Sequence, residues 1–384
     1  MKNIRWRDLL IVAVAVSLSW GLRGQQGHER GAAAAGAMIG LALGAVTGGA
    51  PWIGSAVIGS LTFAIGGSLS YGRFVQAAYE GSWEAIGSLA LIGFVWGGLG
   101  ALGLGLGLAL PRYKLWERVV IAGGLFLVWF LVDRLLWGWL AGPDDFWTRE
   151  LMAIILLGVW SLVSAYVGVW RGDSTSLKLA VAGAIGFAVG FPLAAGVQGL
   201  GQLTGIQADW WAISEHLIGL CGGLSLGITV LSMKPTWQLP LAVKPWERWS
   251  GMVWLLWFLP AWLLANNVDY WVKERALFPA GIGHAISWLM ILILVGLAVW
   301  GWSEMRRGRL FVISWMPRHL RRIFLFFVWI TTILACSKTL LTETLNSSVF
   351  VFAGMALLLT WLVGTYRSGL PPVRQARAIK TASN

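Results

Sequence analysis

The stretch RWRDLLIVAVAVSLSWGLRGQQGHERGAAAAGAMIGLALGAV, from Arg5 to Val46, decides the class of fold. Charges around Trp6 precede an apolar run, a polar and glycine-rich turn interrupts it, and a second apolar run follows. Both are long apolar runs, and they read as helices. Crossing the hydrocarbon core takes about 20 apolar residues as a helix. Similar runs recur to the end of the chain, and a barrel would instead show short alternating segments.

Composition agrees. The 384 residues are 57% hydrophobic and 12% charged, with 50 Gly and 27 Trp, and the mean hydropathy is +0.71. Such a chain is expected to be all-α, a polytopic bundle of transmembrane helices, and not a soluble globule. About twelve spans are predicted, at 8–22, 31–49, 51–71, 85–110, 119–140, 151–170, 179–199, 211–232, 249–266, 280–302, 323–342 and 347–366.

Charge sets the orientation. With the N-terminus inside, 21 of the 29 Lys and Arg fall in cytoplasmic loops and tails, including Arg7, Arg112, Arg118, Arg171, Arg248, Arg321 and Arg374. The positive-inside rule therefore predicts an inner (plasma) membrane protein with both termini cytoplasmic. The net charge of +12 meets anionic lipid headgroups at that face rather than nucleic acid. Arg5 and Arg7 ahead of an apolar run resemble a signal peptide, but no small-residue cleavage site follows, so an uncleaved first span is expected. Residues 303–322 read as an amphipathic segment on the lipid surface, and Lys234 to Pro245 as an elbow. Cys221 and Cys336 lie inside apolar runs, which argues against a disulfide framework or a cysteine metal site.

The chain carries signs of repetition. Trp6-Arg7-Asp8, Trp116-Glu117-Arg118 and Trp246-Glu247-Arg248 introduce spans one, five and nine. Gly59, Phe63, Gly66, Leu69 and Gly72 recur as Gly183, Phe187, Gly190, Leu193 and Gly196, a constant offset of 124. Four-helix units at 1–110, 111–233 and 234–384 are predicted, the second a parallel repeat of the first. Gly36, Gly40, Gly44 and Gly48 form a ladder on one helix face. Such a ladder reads first as tight helix packing and second as a groove for a solute. Trp at many span ends, such as Trp83, Trp170 and Trp302, reads as the interfacial aromatic belt.

Short loops leave no soluble domain, so chemistry must be built from helix ends and the membrane interior. The turn after the first span supplies Arg23, Gln25, Gln26, His28, Glu29 and Arg30. Glu215-His216 and His284 lie about one turn inside later spans that enter from the same face, and Tyr71 and Arg73 end the third span there. An ionisable residue inside the membrane points to function, because an unpaired charge there is costly. Glu29, Glu84 and Glu150 also suit helix starts, and Asp133-Arg134 suits a local pair. The histidines show no close ligand spacing, so no metal is assigned and the cofactor is left unknown.

The leading expectation is a transporter or permease for a small polar or anionic solute. Its site in the outer half would have Arg23, Gln25, Gln26, Tyr71, Arg73 and His284 binding and His28, Glu29, Glu215 and His216 as the reactive groups, with Glu29, Glu215 and His216 coupling to protons. The runner-up is an enzyme acting at the outer face on a lipid-linked or lipid phosphate substrate, with His28 or His216 as general base and Glu29 or Glu215 as its acid or orienting partner. A third is a structural or cofactor-carrying subunit of a membrane complex. Twelve spans with both termini inside resembles the major facilitator superfamily in topology alone. Gly48-Gly49-Ala50-Pro51 lacks that family's charged motif, and the four-helix unit differs from its three-helix one.

Overall fold

The computed structural model describes residues 5–47, 52–69, 71–131, 146–233, 245–273, 277, 279–307, 312–340 and 347–365. The elements are α1 Trp6–Gln26, α2 His28–Thr47, α3 Trp52–Gly67, α4 Gly72–Tyr79, α5 Trp83–Ala109, α6 Leu115–Phe130 and α7 Phe146–Ala165. They continue as α8 Ser174–Thr204, α9 Trp210–Ser232, α10 Pro245–Val253, α11 Leu259–Lys273, α12 Ala280–Arg306, α13 Val312–Leu340 and α14 Ser347–Gly364. No strand occurs among the described residues. Single π turns extend α7 over Tyr166–Trp170 and join α10 to α11 over Trp254–Phe258.

Among the described residues, eight helices are long and apolar enough to cross a membrane. They coincide with the predicted spans 2, 4 and 6 to 11. The third predicted span, 51–71, falls on α3, which meets α4 at 61° and makes a ninth crossing if the two are taken together. One local expectation is corrected. The polar turn after the first span shrinks to Gly27, whose φ of 83° lets α1 run to Gln26 and α2 start at His28. Within 303–322, α12 runs to Arg306 and α13 begins at Val312. Asp133-Arg134, the elbow residues 234–244 and the C-terminal tail lie outside the described residues.

Six helices close a ring in which each packs antiparallel on the next: α1, α2, α3, α5, α8, α9 and back to α1. Its interior is aromatic. Trp20 packs against Trp96 at 5.0 Å and Phe187 at 4.7 Å between ring centroids, and Phe63 stands 5.9 Å from Phe187. Glycines on neighbouring helices make the sockets. A Cβ at Gly36 or Gly100 would strike Phe63, at Gly66 Trp96, at Gly97 or Gly222 Phe187, and at Gly219 Trp20. Between apolar helices in lipid the hydrophobic drive is absent, so close van der Waals contact of this kind is what holds them together. The Gly36, Gly40 and Gly44 ladder faces Gly59, Ala56 and Trp52 at contact distance. Its packing reading holds, and the alternative of an open solute groove along it is corrected. The helices α10, α11, α13 and α14 pack outside the ring against α1, α2 and α3, and α12 packs on α10 and α11.

The face opposite the α1–α2 turn is tied by charges. Glu117 accepts the Lys114 N–H at 2.6 Å and the Tyr166 hydroxyl at 3.1 Å, and lies 3.4 Å from Arg171 Nε. Arg118 pairs with Glu247, which joins two of the Trp-Glu-Arg segments. The Lys114 N–H, then the Tyr166 hydroxyl and Arg171, hold the Glu117 carboxyl below its ordinary range against the opposing push of burial. Burial, with Asp173 beside it, pushes the Tyr113 phenol up.

Two outcomes are expected from thermal unfolding in detergent. Gly97→Val should lower the unfolding temperature by several degrees, since overpacking costs about 1–3 kcal/mol. Gly123→Val should not, because nothing lies within 4 Å of a Cβ there. A depressed carboxylate stabilises the fold above its unfolded pKa of about 4.3 and stops doing so as pH falls through the lower native value. Glu117→Gln should therefore unfold below wild type at neutral pH, the difference closing as the medium is acidified through that range.

Candidate functional site

The end of α1, the break between α3 and α4 and the start of α9 meet just above the aromatic interior of the ring. There Arg23 Nη1 donates to the Tyr71 hydroxyl at 2.7 Å and to Glu215 Oε1 at 3.1 Å, while the Tyr71 hydroxyl donates to the same Glu215 oxygen. The Arg23 and Glu215 side chains are 3% and 1% exposed, so the pair is sealed from solvent. Arg23 also lies over the Trp96 ring at 4.8 Å and the Tyr71 ring at 4.9 Å. Tyr71 stacks on Trp211 at 13°. Removing two charges from water is expensive, and the surrounding π faces and hydrogen bonds offset part of that cost.

Local sequence explains the meeting. The α3–α4 break carries Tyr71 into the ring interior, where a continuous helix would have aimed a side chain elsewhere. Gly24 gives room to the Glu215 side chain and Gly21 to the His216 ring, both on the α1 face that packs against α9. The glycines of the turn thus serve close approach as much as backbone freedom.

Valences remain open. Arg23 Nε and Glu215 Oε2 are buried and make no hydrogen bond. Above the pair, His28 is exposed and its Nδ1 lies 3.0 Å from Arg23 Nη2. A cleft of about 270 Å³ opens there, lined by Gln26, Gly27, His28, Glu29, Arg30, Gly67, Ser68 and Asn266.

The remaining predicted residues are placed as follows. His216 turns away from the pair, with Nδ1 on the Ala212 carbonyl at 2.7 Å and its ring stacked on Phe352 at 5.3 Å. His284 lies on α12, its side chain outside the described residues. Arg73 is exposed on α4. The Gln25 carbonyl accepts from Lys338 Nζ at 2.7 Å. Among the described residues no three His, Cys, Asp or Glu side chains gather to hold a metal.

The structure adds residues that the sequence reading missed. Asn266 binds Gln26 and Arg30, and Lys338 reaches the α1–α2 turn from α13. The signal was present, because an amide pair and a lysine inside otherwise apolar helices are unusual. Trp20, Trp96 and Trp211 were indistinguishable from belt or packing residues in the sequence. No protein-family model, curated protein or solved structure matches this chain.

A buried ion pair should show its coupling in a double-variant cycle. Arg23→Met alone leaves Glu215 uncompensated and should cost about 3–5 kcal/mol of stability, whereas Arg23→Met with Glu215→Met should recover most of it. Equal destabilisation by the single and double variants in denaturant titrations would contradict the pairing.

Proposed function

We propose that this protein is a permease that moves a small polar or anionic solute across the plasma (inner) membrane by way of Arg23 and Glu215. Both termini would be cytoplasmic and about twelve helices would cross. The gathering of Arg7, Arg118, Arg171 and Glu247 at the face opposite the α1–α2 turn supports that orientation. A parallel repeat of 1–110 in 111–233 is supported by Phe63 and Phe187, its equivalent positions, meeting at the centre of the ring.

The observation that carries the reading is the sealed Arg23–Glu215 pair beneath a polar cleft. Protonating Glu215 would release the guanidinium charge to an anion. One proton on the carboxylate and one monoanion on Arg23 keep the site neutral, which low-dielectric surroundings demand. Tyr71 would pass the change between the two, as acceptor from one and donor to the other. Because the ring is packed solid below Trp20, release to the other side would come from movement of α10 to α14 against α1 and α2. At the α1–α2 turn that seam carries the Asn266 and Lys338 hydrogen bonds.

One observation favours an enzyme acting on a lipid phosphate. His28 is exposed and touches Arg23, which pairs a general base with a phosphate-holding cation.

Proteoliposomes with a trapped pH dye test the choice. Phosphate or a short carboxylate added outside should drive proton entry with wild type and only background entry with the Arg23→Met/Glu215→Met variant. Equal rates in the two, or no anion-dependent signal in wild type, would overturn the transport reading. Release of a headgroup product from lipid phosphate without any flux would move the assignment to the enzyme.

A further inference from the structure

We propose that the cleft beside the α1–α2 turn is a binding site in its own right, for a monoanionic oxyanion that seats there before reaching Arg23. The inference rests on the outer-site reading above and names the class of its solute.

The cleft is built around the first turn of α2. The opening N–H groups of a helix lack intrahelical acceptors and carry the positive end of its dipole, which suits an anion. Among the first residues of α2, His28, Glu29 and Arg30 line the cleft, and Gly67 brings the end of α3 against the His28 carbonyl and Glu29 Cα. A Cβ at Gly67 would close that approach.

A second and independent feature points the same way. Gln26 lines the cleft at 2% exposure, and its amide nitrogen has no hydrogen-bond partner. The orientation of that amide follows from its neighbour. Asn266 Oδ1 accepts from Arg30 Nη1 at 3.2 Å, so Asn266 turns its NH₂ to Gln26, donating to the carbonyl at 3.1 Å with Gln26 Oε1 at 3.5 Å. Gln26 therefore gives its oxygen to Asn266 and keeps a buried NH₂ without an acceptor in the cleft wall. An unmet buried donor is costly, and a ligand oxygen would satisfy it.

Charge narrows the class. Arg30 and the α2 N-terminus attract an anion, with Arg30 held over the Trp262 ring at 6.0 Å. Glu29 lines the same cleft, and Asp269 Oδ2 is 4.0 Å from Arg30, so a dianion would meet opposing carboxylates. A carboxylate or a phosphodiester, each with one charge and two adjacent acceptor oxygens, fits. The first would come from a free solute and the second from a lipid headgroup.

Isothermal titration of the full chain in uncharged detergent, first with sodium acetate and then with short-chain phosphatidylglycerol, tests the site. Wild type should bind one of them saturably, and Gln26→Leu should bind it about tenfold more weakly, the loss of one hydrogen bond to a charged acceptor. Gln26→Glu, a like charge in nearly the same shape, should abolish binding and serves if the leucine variant fails to fold. Saturable acetate binding assigns a free carboxylate, and saturable binding of phosphatidylglycerol alone assigns a headgroup. No saturable binding of either, or binding unchanged in both variants, would overturn the proposal. Arg23→Met/Glu215→Met should keep the cleft affinity while losing flux. Flux in wild type without cleft binding would remove this inference and leave the transport reading standing.

Discussion

An arginine and a glutamate buried at the end of a ring of apolar helices can stay charged only in each other's company. Arg23 and Glu215 come from helices almost two hundred positions apart, and their contact fixes how α1 lies on α9. Tyr71 then has to reach the pair from the α3–α4 break, and Gly21 and Gly24 have to stay bare so that α9 side chains can pass. A hydrophobic pair of similar volume would be expected to hold these helices as well or better. Retention of charge at this depth is therefore the strongest physical argument that the site does something besides fold.

The rest of the ring is organised to make that placement rigid. In lipid, helices associate through contact rather than through exclusion of water, and this chain obtains contact by setting aromatic rings into glycine sockets. Phe63 sits in the gap at Gly36 and Gly100, and Phe187 in the gap at Gly97 and Gly222. The outer group, α10 to α14, meets the ring through hydrogen bonds at the α1–α2 turn, and α10 pairs with α6 through Arg118–Glu247 at the opposite face.

Much of this was legible in the sequence. Helical class followed from apolar run length. Arg23, Tyr71, His28 and Glu215 stood out because charged and hydroxyl groups near membrane depth are rare. Other features were not legible. The α1–α2 turn looked long because Gly21, Gly24 and Gly27 and several polar residues cluster there, yet α1 runs on through Gly24, which packs against Glu215. His216 follows Glu215 directly in sequence, but successive helix residues point about 100° apart, and so it faces Phe352 instead. Asn266 and Lys338 acquire meaning only once the outer helices are laid against the turn. The offset of 124 between Phe63 and Phe187 could not reveal that their rings would meet.

The claim most exposed to test is that Glu215 exchanges a proton when an anion reaches Arg23. Infrared difference spectroscopy of the full chain in lipid, recorded on addition of a short carboxylate labelled to move its own bands, reads this directly. The account predicts a new carbonyl band of a protonated carboxylic acid that is absent from Glu215→Gln. No such band in wild type, or the same band in both proteins, would contradict it.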